Sequence, residues 1–185
     1  MDFIYSQVER ILDKHGSRDP FVLLKGLGAV LVYSNEYGRG GLMGYSTILN
    51  RIMYAVINEK LPDAEKRIVA GHEAGHLVLH QDIILSSPIK AMQDFRLYDS
   101  SSRYEREANL FLADFLLGDD SVMDVITQDG INYIEAASAL YVPPPLLAFK
   151  LFSMSKRDFK GLNYFDLDSR FLAKRDFDGE GYSNR

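Results

Sequence analysis

The chain has no cysteine, no tryptophan and only four histidines among its 185 residues. Without cysteine it cannot build a disulfide scaffold, a thiolate zinc finger or an iron–sulfur cluster, and it has no cysteine nucleophile. Any transition-metal site must draw on His, Asp and Glu. Positive charge is also in short supply: 21 basic residues against 26 acidic ones leave a net charge of −5. That balance argues against a broad electrostatic footprint for nucleic acid or anionic lipid, so direct binding to either is not expected. No apolar stretch reaches the roughly 20 residues that a membrane span requires. The N-terminal Met1-Asp2-Phe3-Ile4-Tyr5-Ser6 has no basic region followed by an apolar run and a small-residue cleavage site. The expectation is a soluble cytoplasmic protein. At 46% hydrophobic residues the chain can build a packed core, and its length fits one domain with a small appendage.

Apolar residues at helical spacing predict a helix over residues 2–15, closed by Gly16. Asp19-Pro20 then starts a short second helix, with Asp19 as its cap and Pro20 at the first helical position. From Ala29 the period changes to that of strands. Ala29 to Tyr33, Leu42 to Leu49 and Arg51 to Ile57 read as a three-stranded antiparallel meander, its first two strands joined across Gly38-Arg39-Gly40-Gly41. The third strand is apolar on both faces, so each face is expected to be covered.

A strong helix follows from Ala64 to His80, and residues 81–102 read mostly as loop. Ser102 is placed to cap a helix from Arg103 to Leu117, with Glu105 positioned to complete a capping box. Gly118-Asp119-Asp120 closes that helix. Shorter helices are expected over 121–128, 131–140 and 143–152. The domain is read as residues 1–154, with a C-terminal helical portion from about 121. Residues 155–185 carry mixed charge without a clean period and read as a tail that is partly ordered at best.

Three of the four histidines, His72, His76 and His80, fall within nine positions. His72-Glu73-Ala74-Gly75-His76 matches the pattern H-E-x-x-H. Two histidines four residues apart project from one side of a helix and can grip one divalent cation. The Glu between them can take a proton from a reacting water. The competing reading is a core helix whose histidines only satisfy backbone groups.

A catalytic zinc needs a third protein ligand and one open position. Asp82 lies six residues past His76, but no glycine makes the turn that would bring it back, since Leu79 stands there. His80 sits a further turn along, and three ligands on one straight helix drift by about 40° each and cannot converge. It reads as a helix-end group or a support for a ligating histidine. The helix from Arg103 offers two carboxylates. Glu105 shares its face with Ala108, Asn109, Leu112 and Leu116, whereas Glu107 lies with Arg103, Tyr104, Phe111 and Asp114 at the edge of the solvated side. The inward face selects Glu105. Asn109, one turn on, is placed to hydrogen-bond a ligating histidine and fix its tautomer. The alternative use of Glu105 is the capping box.

The run His72-Glu73-Ala74-Gly75-His76-Leu77-Val78-Leu79-His80, followed by Glu105-Arg106-Glu107-Ala108-Asn109 and then Phe111, Ala113, Leu116 and Leu117, resembles the ImmA/IrrE family of bacterial metallopeptidases. The likeness covers roughly residues 20–150. It implies an α+β, zincin-like minigluzincin fold, in which a small antiparallel three-stranded sheet packs on the H-E-x-x-H helix and the helices after it. It also implies Zn2+ held by His72, His76 and Glu105, with Glu73 as general base and Asn109 behind a ligand. Leu112 stands where the family often has Ala, and Gly118-Asp119 where it usually has Met-Pro; neither touches a ligand. Members typically cleave a helix-turn-helix transcriptional repressor encoded nearby on a mobile element, prophage or stress-response locus. That implies an antirepressor protease with such a repressor as its protein partner.

Peptide hydrolysis would also use a strand edge for an extended substrate, and Arg51 to Ile57 is the candidate. An oxyanion needs a donor, for which Tyr98, Tyr104, Tyr133 and Tyr141 are available. The segment from Ile134 to Met154 reads as structural cover, with repressor docking as the alternative. Two other functions compete: a metal-stabilised antirepressor or toxin–antitoxin partner that acts by binding alone, and a zinc hydrolase of small molecules. Glu73 favours catalysis over pure binding, and no small-ligand motif supports the last.

Overall fold

The computed structural model describes residues 2–36, 41–86, 92–94 and 102–157. They form an α+β fold in the order α1 (Asp2–His15), α2 (Pro20–Gly26), β1 (Val30–Ser34), β2 (Gly44–Leu49), β3 (Ile52–Asn58), α3 (Asp63–Leu79), α4 (Gln81–Ser86), β4 (Met92–Asp94), α5 (Arg103–Leu116), α6 (Asp119–Ile126), α7 (Tyr133–Ala139) and α8 (Pro144–Ser155). Most of the expected charged tail, residues 158–185, lies outside the described residues. No helix among the described residues is long and apolar enough to cross a membrane.

Local chemistry explains the element ends. The Asp19 carboxylate accepts from the Phe21 N–H and Pro20 opens α2. Asn50 and Arg51 both take positive φ, 51° and 66°, between paired Leu49 and Ile52. Two positive-φ residues between paired strands make the two-residue hairpin whose twist suits β2 and β3. Gly118 does not close α5 together with the two Asp residues. Instead it precedes α6, and Asp119 and Asp120 occupy that helix's first turn, where carboxylates suit the positive end of the helix dipole.

The sheet departs from the expected meander in two respects. Its order is β1-β3-β2-β4, and β1 runs parallel to β3. The tight turn makes β2 and β3 neighbours, and β4 pairs with the other side of β2 at Gly44–Ser46. β1 therefore takes the open side of β3, where it points the same way because only β2 reverses direction. The short β4 and α4 both fall in the stretch read as loop. β3 is thus an interior strand, and it offers no free edge to a substrate. Its face of Met53, Ala55 and Ile57 joins the main core. The opposite face is only partly covered: Val56 is buried, while Ile52 is exposed.

α3 lies between the sheet and α5. Its Gly71 and Gly75 are sites of close approach rather than of unusual backbone. A Cβ on Gly71 would come within 2.6 Å of Leu112 Cδ1, and one on Gly75 within 3.1 Å of Phe111 Cδ1 and 3.3 Å of the Ala108 backbone. Small residues on both helices bring α5 near enough for short side chains to cross between them. The core is continuous around this contact, through Leu24, Val69, Leu77, Phe111, Phe115 and Phe149. A second apolar cluster joins Leu117, Val122, Ile126, Ala137, Leu147 and Leu151 of the C-terminal helices.

The far end of α5 is fixed by charge. Asp114, buried on α5, takes Lys150 Nζ at 2.9 Å and the Ser153 hydroxyl at 2.6 Å, both from α8. Lys150 Nζ also lies 2.6 Å from Asp119, which binds both terminal nitrogens of Arg157 and accepts from the Tyr5 hydroxyl of α1. Arg18 donates to the last carbonyls of α5, those of Asp114 and Phe115, at 2.8 and 2.9 Å. Burial raises the Asp119 pKa, but Arg157 and Lys150 outweigh it and bring it from 3.8 down to about 2.

Two stability predictions follow from these contacts. Gly75→Val drives a branched side chain into Ala108 and Phe111, so chemical denaturation should register a loss of about 1–3 kcal/mol, as for other overpacked cores. Asp119 has a depressed pKa, so its contribution is present above the ordinary carboxylate value and fades as pH falls toward 2. Asp119→Asn should cost on the order of 2 kcal/mol at pH 7. It should also flatten the decline in stability of the wild type between about pH 4 and pH 2, followed by denaturation at each pH.

Candidate metal centre

The site is built where α3 and α5 face one another. An α-helix repeats every 3.6 residues, so His72 and His76 of α3 share the face turned to α5, and both imidazoles are buried. Their Nε2 atoms lie 3.0 Å apart. Glu105, in the first turn of α5, places Oε2 at 3.2 Å from His72 Nε2 and Oε1 at 3.5 Å from His76 Nε2. One ligand atom from each of the three residues falls within 4.8 Å of the other two. The Ser102 hydroxyl caps α5 by accepting from the Glu105 N–H. The Glu105 carboxylate is turned to the histidines, so the backbone of this residue serves the cap while its side chain serves the cluster.

The nitrogens turned away from the cluster are also engaged. His72 Nδ1 lies 3.1 Å from Oδ1 of buried Asn109. His76 Nδ1 lies 3.1 Å from His80 Nδ1, and His80 Nε2 lies 3.0 Å from Glu107 Oε2. Glu107 accepts from Arg103 Nε at 2.7 Å through its other oxygen. Burial drives the His76 imidazole from 6.5 down to about 4, against the opposing pull of Glu105. Burial likewise lowers His80, against the pull of Glu107. Both rings are therefore neutral at pH 7, each with one lone pair to give. Burial pushes the Glu107 carboxyl up, but the hydrogen bonds from Arg103 and His80 prevail and hold it below the usual range.

Two imidazole nitrogens and a carboxylate form a donor set suited to a zinc-like cation. Glu73, between the two histidines in sequence, is fully buried. Its carboxylate and its carbonyl oxygen both accept from the hydroxyl of Ser46 on β2. Gly44 lies alongside: a Cβ there would come within 3.0 Å of Glu73 Oε1 and 2.5 Å of Val69 Cγ1. β2 is thus a strand that touches this carboxylate.

The other residues singled out in the sequence are placed as follows. Asp82 is exposed on α4, outside the three-residue group. Tyr104 packs its ring edge-on against His80, with centroids 5.1 Å apart. The Tyr133 hydroxyl donates to the Pro144 carbonyl, and Tyr141 is 95% exposed. Tyr98 lies outside the described residues. The contact of Ser46 with Glu73 and the link from His80 to Glu107 have no short-range sequence signal. Both join residues 27 positions apart in different elements.

Residues 38–152 match the family model of the IrrE N-terminal-like domain, a peptidase family. A relative from Bacillus phage phi105, named uncharacterized immunity region protein 2, is 32% identical over 116 residues, which cover 63% of this chain and 69% of the relative. No solved structure matches the chain. The matched span holds the sheet strands β2 and β3 and both helices of the cluster, and on that match the chain belongs to the peptidase family of the IrrE N-terminal-like domain.

Proposed function

We propose that this chain is a zinc-dependent endopeptidase that cleaves a helix-turn-helix transcriptional repressor encoded near it. The carrying observation is the convergence of His72, His76 and Glu105 on one point, with Glu73 on the same helix, in a chain of a peptidase family. The immunity-region name of the phage relative supports a place in repressor control on a mobile element. A protein substrate is also in keeping with the net charge of −5, which suits a partner that binds DNA better than it suits DNA itself.

In this reading His72, His76 and Glu105 hold the zinc. When bound, zinc supplies a Lewis acid for the scissile carbonyl and makes water acidic enough to attack near neutral pH. His72 and His76 bring pre-oriented nitrogens to it. Glu105 adds a negative charge that partly balances the cation. Glu73 acts as general base, taking the proton from the attacking water and delivering it to the leaving amide nitrogen. Ser46 holds the Glu73 carboxylate in one rotamer, so the proton is received at a fixed position.

Metal analysis of the purified chain should find about one zinc per chain, lost in His72→Ala. Co-expression with the neighbouring repressor should yield a discrete fragment. Glu73→Gln should keep the metal and slow cleavage by at least about 100-fold. A metal-free wild type would sink the proposal. An intact repressor with continued derepression would replace it with sequestration by a metal-stabilised antirepressor.

A further inference from the structure

His72 and His76 make the same kind of contact with the cluster, yet they are held from behind in different ways. His72 meets an uncharged amide, Asn109. His76 meets another imidazole, that of His80, 3% exposed, and His80 meets the Glu107 carboxylate at the rim of the site. Arg103, largely exposed, closes the series on the outside.

Proton placement follows from counting. A neutral imidazole has one N–H and one lone pair. If His76 gives its Nε2 lone pair to a cation, its proton must sit on Nδ1. The Nδ1 of His80, 3.1 Å away, must then be bare and accept it. The proton of His80 is left on Nε2, which donates to Glu107 Oε2 at 3.0 Å. The Glu107 carboxylate can only accept, and Arg103 Nε can only donate to it. Each partner thus allows one direction, and the direction runs from His76 outward.

We infer that His80 and Glu107 are positioning residues that lock His76 into the Nδ1–H tautomer and hold its Nε2 toward the cation, a relay from the solvent-facing rim to a buried ligand. This rests on the metal reading above. The Tyr104 ring, edge-on to His80, limits the tilt of the middle imidazole. The link also gives His80, the residue that caps the C-terminus of α3 just past the two ligands, a defined task.

The test is zinc affinity of the full chain, measured by competition with a chromophoric chelator alongside the melting temperature of each metal-free variant. His80→Phe keeps a ring beside Tyr104 but removes both nitrogens, and should bind zinc about 10- to 100-fold more weakly. His80→Asn returns an acceptor oxygen near the position of Nδ1 and should recover affinity to within about threefold, a rescue that simple filling of space would not give. Glu107→Ala, at the accessible end, should weaken binding by up to about 10-fold and covers the case in which His80→Phe does not fold. Long-range nitrogen–proton spectra of the zinc-loaded wild type should show His80 protonated on Nε2.

The relay alone is overturned if the wild type binds zinc, His72→Ala does not, and His80→Phe binds as tightly as the wild type. Equal losses in His80→Phe and His80→Asn, or a proton on His80 Nδ1, overturn it as well. A wild type without zinc removes the metal reading and the relay together.

Discussion

The buried imidazoles of α3 constrain everything around them. A helix that turns His72 and His76 inward, with buried His80 at its C-cap, must find partners for six ring nitrogens in a region where an unmet polar atom costs about 1–3 kcal/mol. α5 supplies Glu105, Glu107 and Asn109 for this purpose. These three lie within one and a half turns, so the two helices must keep both register and separation. Gly75 against Ala108 sets the separation. The Ser102 cap sets the point at which α5 begins, and with it the height of Glu105 beside the histidines.

The opposite end of α5 shows the cost of such precision. A helix pinned only by its first turn would have no directional contact to fix its far end. Asp114 and Asp119, held by Lys150, Arg157, Ser153 and Tyr5, tie that end to α1, α6 and α8 through directional contacts. Buried ion pairs seldom add much stability over an apolar substitute, because desolvation offsets their attraction. Their use here is better described as geometric. They permit one seating of α5, and the polar contacts at its first turn require one.

Sequence made the centre legible for a specific reason. Two histidines at i and i+4 need only helical geometry to share a face, and a carboxylate on the inward side of a second helix can be found by the same geometry. Comparing Glu105 with Glu107 by face put Glu105 toward α3 and Glu107 at the solvated edge; the structure sets Glu105 against His72 and His76, and Glu107 between Arg103 and His80. The contacts that escaped are those with no local rule. Ser46 reaches Glu73 only because β2 lies over α3, and Gly44 matters because of what stands opposite it. The family resemblance supplied the fold class. It could not supply strand order, which depends on a hairpin turn built without glycine at Asn50-Arg51 and on a fourth strand of three residues.

The misplaced edge is instructive, because the sequence held an argument against it. A strand apolar on both faces, as Ile52 to Ile57 is, usually has neighbours on both sides, whereas edges are polar, short or interrupted. β3 follows that rule, with β1 and β2 as its neighbours. Among the described residues the outer strands of the sheet are β1 and β4, and β4 pairs with β2 at Gly44–Ser46. Between β3 and β4, β2 carries the Ser46 hydroxyl from which Glu73 accepts. The pairing that keeps β3 interior therefore also sets β2 between β3 and β4, with its Ser46 hydroxyl on Glu73.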